Sequence, residues 1–140
     1  TNKIAVLAGG WSDEREISLD SGRASEKALR NAGFSSVELL DIAAPDFVTR
    51  LVDGAYDVAL IAMHGHYGED GCIQGMLEIL HLPYTFSGVL ASAMGTDKDV
   101  AKAMYRTISI PTPEGVKIKP GQKYTQQELE DLVEWYGLSL

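Results

Sequence analysis

The sequence has little of what would tie it to nucleic acid, metal, membrane or an oxidising compartment. Its single cysteine, Cys72, excludes an intramolecular disulfide and a zinc knuckle, and fits a reducing cytoplasm. Basic residues are scarce: 12 Lys+Arg stand against 20 Asp+Glu, for a net charge of −8. No Lys/Arg stripe is present for a phosphate backbone to meet, which argues against nucleic acid as a partner. No apolar run is long enough for a membrane span or a signal-peptide core, and the N-terminal one, residues 4–8, stops at Gly9-Gly10. Internal repeats and low-complexity stretches are also lacking. What remains, 140 residues of which 45% are hydrophobic and 23% charged, can bury a real core. That length suits one compact domain, or one domain and a fragment of a second. The start at Thr1 rather than Met points to processing or trimming. The apolar ending Leu138-Ser139-Leu140 points to a fragment, because natural termini tend to fray in polar residues.

Apolar patterning divides the chain. Residues 4–8 read as a strand buried on both faces, closed by Gly9-Gly10. Residues 12–16 supply a helix start, with Ser12 or Asp13 as cap and acids in the first turn. Ile17, Ser21, Ala24 and Ala28 then mark one face of a helix that ends at Gly33. A second strand covers 37–42, a short helix 47–52, and a third, apolar strand 57–63. Ile73, Met76, Leu77 and Leu80 mark the next helix, and 82–85 is a short strand or extended link. Helices follow at 88–94 and 97–108, the latter with Val100, Ala101, Met104, Tyr105 and Ile108 on one side. A strand at 116–119 and a last amphipathic helix carrying Leu129, Leu132, Val133 and Tyr136 complete the reading. Alternating strands and helices predict a parallel α/β sheet with right-handed crossovers. Its ligands belong beyond the carboxyl ends of the strands, where both Gly-rich segments, 9–16 and 64–71, fall. The clearest internal boundary lies between Ser87 and Asp97.

Three segments could carry chemistry. Gly9-Gly10 opens a helix N-terminus, which alone suggests an anion site. Asp13, Glu14 and Glu16 in that turn would instead repel phosphate and attract an ammonium, unless they are simply solvated acids satisfying the dipole. The spacing matches neither a dinucleotide fingerprint nor a P-loop. Glu14 and Glu16 lie about 200° apart on a helix, so at most one faces a cleft. The segment His64-Gly65-His66-Tyr67-Gly68-Glu69-Asp70-Gly71 leaves a buried strand with four polar groups and three glycines. Glu69 and Asp70 could cap the next helix, and His64 could be a core histidine. His64, His66 and Asp70 could also ligate a metal, although no further ligand has good spacing except His81. Cys72 reads as a small buried hydrophobe rather than a reactive thiolate, given Glu69 and Asp70 beside it. Gly22 and Gly75 read as close-packing positions. Trp11, Tyr67, Tyr84 and Phe86 either surround the cleft or belong to the core. Lys98 and Lys102 share a helix face that is exposed or functional.

Taken together the segments resemble the D-alanine–D-alanine ligases, members of the ATP-grasp enzymes. The first block is Lys3-Ile4-Ala5-Val6-Leu7-Ala8-Gly9-Gly10, Ser12, Glu14-Arg15-Glu16-Ile17-Ser18-Leu19 and Ser21-Gly22. The second is His64-Gly65, Gly68-Glu69-Asp70-Gly71 and Gln74-Gly75. The third is Leu82-Pro83-Tyr84-Thr85, Ser87 to Ala93, and Asp97-Lys98. The match covers residues 3–113, and beyond it is one of pattern only. Such enzymes activate one D-alanine as an acyl phosphate with ATP and Mg²⁺, and the amine of a second D-alanine attacks it to give a dipeptide for peptidoglycan. By resemblance, Glu14 binds the ammonium of the first D-alanine alongside His64 and is the leading catalytic candidate. Glu69 lies in or beside this network, and Lys98 contacts ATP phosphates. No metal ligand is implied in this chain, because the acidic Mg²⁺ ligands, the adenine pocket and the oxyanion-stabilising Arg lie past residue 140. Trp11 stands where the family usually has a small or hydroxyl residue, and His66-Tyr67 is a variable pair.

The expectation is therefore an α/β, pre-ATP-grasp, Rossmann-like domain with a mainly parallel sheet flanked by helices. Residues 1–87 form the N-terminal domain, and 88–140 form linker helices and the truncated start of the central ATP-grasp domain. The resemblance implies a cytoplasmic ligase that takes D-alanine, with no nucleic-acid or membrane partner and a homodimer through this part. The 140-residue chain alone is expected to be inactive. Rival readings are a non-catalytic flavodoxin-like module holding a small molecule, a metal-dependent hydrolase, and a ligase joining D-alanine to D-lactate or D-serine.

Overall fold

The computed structural model describes residues 2–113, 115, 121 and 123–136. The chain divides into two compact units, Thr1–Asp97 and Lys98–Leu140. The first is built on three parallel strands, β1 (Lys3–Ala8), β2 (Ser36–Asp41) and β3 (Val58–Ile61), in the order β2-β1-β3. Register pairs Leu7 with Leu40 on one side and with Ile61 on the other. A single parallel bridge, Ala59 to Tyr84, continues the sheet beyond β3, so 82–85 behaves as the extended link expected of it.

As the central strand, β1 is covered on both faces, and Ala5 to Ala8 have no exposed surface. Its alternate residues serve two cores. Ala5 and Leu7 join Leu40, Leu51, Ile61 and Leu77 in one cluster, whereas Ile4 and Val6 join Val37 and the partly buried Leu29 and Phe34 in the other. The first cluster holds α2 (Phe47–Asp53) and α3 (Cys72–Ile79), and the second holds α1 (Arg15–Asn31). This is the doubly covered parallel sheet that a continuous apolar strand demands. Glu38 on β2 accepts hydrogen bonds from Tyr56 and from Arg50 of α2, and both partners hold its carboxyl below the ordinary value.

The helix following β1 has the expected period but not the expected phase. Ile17 is 60% exposed and Ala24 and Ala28 are exposed, whereas Ser18 and Gly22 are buried, followed by half-buried Ser25 and Leu29. The cause is close approach. A Cβ on Gly22 would lie 2.6 Å from Ala8 Cβ and 2.8 Å from Leu39 Cδ1. Gly22 thus packs as the sequence suggested. Gly75 does not, since a Cβ there meets only Val89 Cγ2 at 3.9 Å. The helix ends in a Schellman arrangement, with Gly33 N–H bonded to Arg30 and Phe34 N–H to Leu29, and with Gly33 at φ +97°. The unit closes with α4 (Val89–Thr96).

In the second unit, α5 (Lys98–Thr107) and α6 (Gln126–Tyr136) are helical as expected. Thr125 and Glu128 form a reciprocal capping box at the start of α6: Glu128 accepts from Thr125 N–H at 2.7 Å, and Glu128 N–H reaches Thr125 Oγ1 at 3.3 Å. The strand expected at 116–119 and the ending 137–140 lie outside the described residues.

Gly22→Ala sets two effects against each other. Helix propensity favours Ala by about 1 kcal/mol, but overpacking against β1 and β2 costs about 1–3 kcal/mol. Urea unfolding should show a net loss of stability. A gain would mean that α1 does not approach the sheet this closely.

Candidate functional site

The three strands deliver their carboxyl ends to one edge, where backbone N–H and C=O groups run out of ladder partners and need others. Ser18, fully buried on α1, supplies two of them. Its Oγ accepts from Gly9 N–H and donates to the carbonyl of Ala62, both at 2.9 Å. One hydroxyl therefore joins the exits of β1 and β3.

A second clamp joins β1 to β2. Arg15 donates to both oxygens of Asp41, at 2.9 and 2.5 Å, and also to the Gly10 carbonyl. Asp41 in addition accepts from Gly10 N–H and Ala43 N–H. The Arg15 hydrogen bonds, followed by these backbone donors, hold its carboxyl well below the ordinary value, at about 2, against the opposing effect of burial. Gly9 has φ +75°, and a Cβ on it would strike Asp41 Oδ1 at 2.2 Å, so no other residue fits the turn. The expected cap is not made by Ser12 or Asp13. Glu14 occupies the N-cap position without a side-chain cap bond, and Ser12 Oγ donates to the His64 carbonyl instead.

That bond reaches the segment leaving β3. Ser21 Oγ lies 3.1 Å from His64 Nε2. Glu69 folds back so that its carboxylate accepts Gly65 N–H at 2.9 Å. From the other side, a Cβ on Gly65 (φ +71°) would come within 2.7 Å of Glu14 Oε2. The fold therefore brings Glu14, Glu69 and the His64 backbone together around one glycine. Gly68 is equally constrained, because a Cβ on it would meet Met63 Cβ at 2.5 Å. Buried Gln74 donates to the Gly68 carbonyl at 2.8 Å. Lys98 begins α5 in the second unit and is exposed there.

Asp70 tightens the end of the segment. Burial alone would raise its carboxyl, but Tyr67 N–H, Cys72 N–H and His66 hold it below the ordinary value. As Cys72 N–H belongs to the first turn of α3, Asp70 does cap that helix. Cys72 is not the buried hydrophobe expected. It is exposed, and hydrogen bonding to Asp70 followed by burial raises its thiol, away from a reactive thiolate. His66 Nδ1 lies 2.6 Å from Asp70. Among the described residues no group of three or more His, Cys, Asp and Glu side chains is placed to hold a metal. No helix among them is long and apolar enough to cross a membrane. Of the aromatics, Trp11 is exposed and stands edge-on to Tyr67, 5.7 Å between centroids, and Phe86 is exposed, whereas Tyr84 packs against the core. A groove of about 420 Å³ lies beneath the Trp11–Tyr67 pair, walled by Ile42, Phe47, Ile73 and Met76.

Fold and site define the class: a parallel α/β domain whose strand exits bring two glutamate carboxylates to one glycine. A family model described as "D-ala D-ala ligase N-terminus" matches residues 45–87. The chain is 53% identical over 114 residues to a D-alanine–D-alanine ligase of Ruegeria sp. (strain TM1040), covering 81% of this chain and 37% of that relative. The ligase of the same name from Methylorubrum populi is 54% identical over 112 residues, 80% of this chain and 36% of the relative. The solved D-alanine–D-alanine ligase of Bacillus anthracis, complexed with ATP, matches with a TM-score of 0.73 at 31% identity, covering 94% of this chain and 44% of that one. The chain belongs to the D-alanine–D-alanine ligase family and corresponds to its N-terminal part. It spans less than half the length of these relatives.

The clamp at Asp41 has a pH signature. A carboxyl held at about 2 against an ordinary 3.8 stabilises the fold fully above the ordinary value, and this contribution is lost as pH falls towards 2. Asp41→Asn should cost about 1 kcal/mol at pH 7, allowing for solvent screening of a partly exposed pair, and much less at pH 2. Urea titrations at both pH values read the difference, and equal losses at both would remove the charge from the clamp.

Proposed function

We propose that this chain is the first-substrate part of an ATP-dependent ligase that joins two D-alanines for peptidoglycan, in the cytoplasm and as a homodimer. In this reading residues 1–87 form the N-terminal domain, and 88–140 form linker helices and the beginning of the central ATP-grasp domain. The observation that carries it is the convergence of the Glu14 and Glu69 carboxylates on Gly65 at the carboxyl edge of the sheet. The relatives' names supply the substrate.

D-alanine is a small zwitterion. Its ammonium is compact and carries three donors, which suits carboxylates whose positions are fixed in advance. Glu14 takes that ammonium as the leading catalytic group. Glu69, tied to Gly65 N–H, adds negative potential without being free to swing away. His64 completes the substrate contact. A glycine at position 65 keeps the floor of the pocket open, since any side chain there would occupy the space in front of Glu14. Holding the ammonium turns the carboxylate of D-alanine outward, towards the phosphoryl donor. Orientation of this kind converts a bimolecular encounter into a positioned one. Lys98 serves ATP phosphates as a point charge. In this reading the chain's own contribution is binding and orientation.

Calorimetry with D-alanine tests the reading. Glu14→Gln keeps the shape and removes the charge, and should weaken binding by roughly ten- to a hundredfold, the scale of one charge-assisted hydrogen bond. Unchanged affinity would remove Glu14 from the substrate site.

A further inference from the structure

Ser21 is a side chain without an evident role in folding. It is half-buried on α1, one turn past the Ser18 bridge, and its hydroxyl faces His64 Nε2 at 3.1 Å. Among the described residues, Nε2 is the one hydrogen-bonding partner of that hydroxyl, and the tautomer of the ring decides which of the two donates. A hydroxyl is both donor and acceptor, but a neutral imidazole nitrogen is one or the other, and the partner on one nitrogen decides the state of the second. The backbone of His64 is independently fixed, since its carbonyl accepts from Ser12 Oγ at 3.1 Å. The point from which the ring reaches Ser21 is therefore held in place.

We infer that Ser21 is a positioning residue that donates to His64 Nε2 and so fixes His64 as the Nδ1–H tautomer, making it a donor to the carboxylate of the bound amino acid. The substrate part of this inference rests on the function proposed above. The chemistry divides the zwitterion between two residues. An ammonium offers only donors and needs Glu14, whereas a carboxylate offers only acceptors and can use Nδ1–H. With the opposite tautomer His64 would present a lone pair, which repels a carboxylate and duplicates the task of Glu14. Serine at position 21 thus makes the two ends of the substrate distinguishable, and does so without touching it.

Long-range proton–nitrogen NMR on ¹⁵N-histidine-labelled chain at pH 8.5 reads the tautomer directly, with His64 assigned by its loss in His64→Gln. The expected wild-type spectrum has a pyrrole-like Nδ1 and a pyridine-like Nε2. Ser21→Ala should return the ring to the Nε2–H form favoured by free histidine, and Ser21→Thr should keep Nδ1–H. D-alanine added to each should bind roughly fivefold more weakly to Ser21→Ala, and Ser21→Thr should restore affinity. A wild-type Nε2–H ring, or an Nδ1–H ring that persists in Ser21→Ala, overturns the inference. A changed tautomer with unchanged D-alanine affinity overturns the donor role. If wild-type chain shows Nδ1–H but binds no D-alanine, the substrate reading fails while the control of the ring by Ser21 stands.

Discussion

The hydroxyl of Ser18 is the constraint on which the site depends. Where β1 and β3 end, Gly9 N–H and the Ala62 carbonyl face the interior with no strand partner, and leaving either unpaired costs about 1–3 kcal/mol. Ser18 pairs both. Doing so fixes the rotation of α1 about its axis, because only one helical phase points residue 18 at the gap between the strand exits. A helix places positions i, i+4 and i+7 on one stripe. Glu14, Ser18 and Ser21 occupy such a stripe, and the backbone bond from Ser18 N–H to the Glu14 carbonyl keeps them in register. The same rotation therefore carries Glu14 to Gly65 and Ser21 to His64. Of the two acids Glu14 and Glu16, it is the Glu14 carboxylate that lies beside Gly65.

The strands and their parallel order were legible because buried parallel strands are continuous apolar runs bounded by glycine. The phase of α1 was not. Its inward stripe is Ser18, Gly22, Ser25 and Leu29, which carries little hydrophobicity, so the apolar residues Ile17, Ala24 and Ala28 drew the reading one position aside. The useful signal was the Ser18 to Ser21 spacing beside Gly22, polar and small residues that a helix packed tightly on a sheet tolerates at close approach. Glu14, His64 and Glu69 were named from resemblance, and spacing alone left solvated acids and a metal as rivals. The Arg15–Asp41 clamp was illegible, because the two residues lie 26 apart and meet only once β2 is laid beside β1. Cys72 was expected to be buried because Glu69 and Asp70 beside it disfavour a thiolate, whereas it is exposed and lines the groove beneath Trp11 and Tyr67.

Glycine does the remaining work. Gly9, Gly65 and Gly68 each sit where an added Cβ would collide with a neighbour, at Asp41, Glu14 and Met63 respectively. The first two also adopt positive φ. Two of the collision partners, Asp41 and Glu14, are carboxylates of the edge, so Gly9 and Gly65 make room for groups that give the edge its charge. The net charge of −8 is thereby partly explained: named donors hold Asp41, Glu69 and Asp70 at this edge, and Glu14 lies beside Gly65.

The most direct test of this account is the Ser18→Ala variant, examined by urea unfolding together with amide hydrogen exchange at Gly9. If Ser18 is the bridge, stability falls by about 1–3 kcal/mol, and the Gly9 amide loses its protection while amides in the middle of β1 keep theirs relative to global unfolding. Unchanged stability with Gly9 still protected would contradict it.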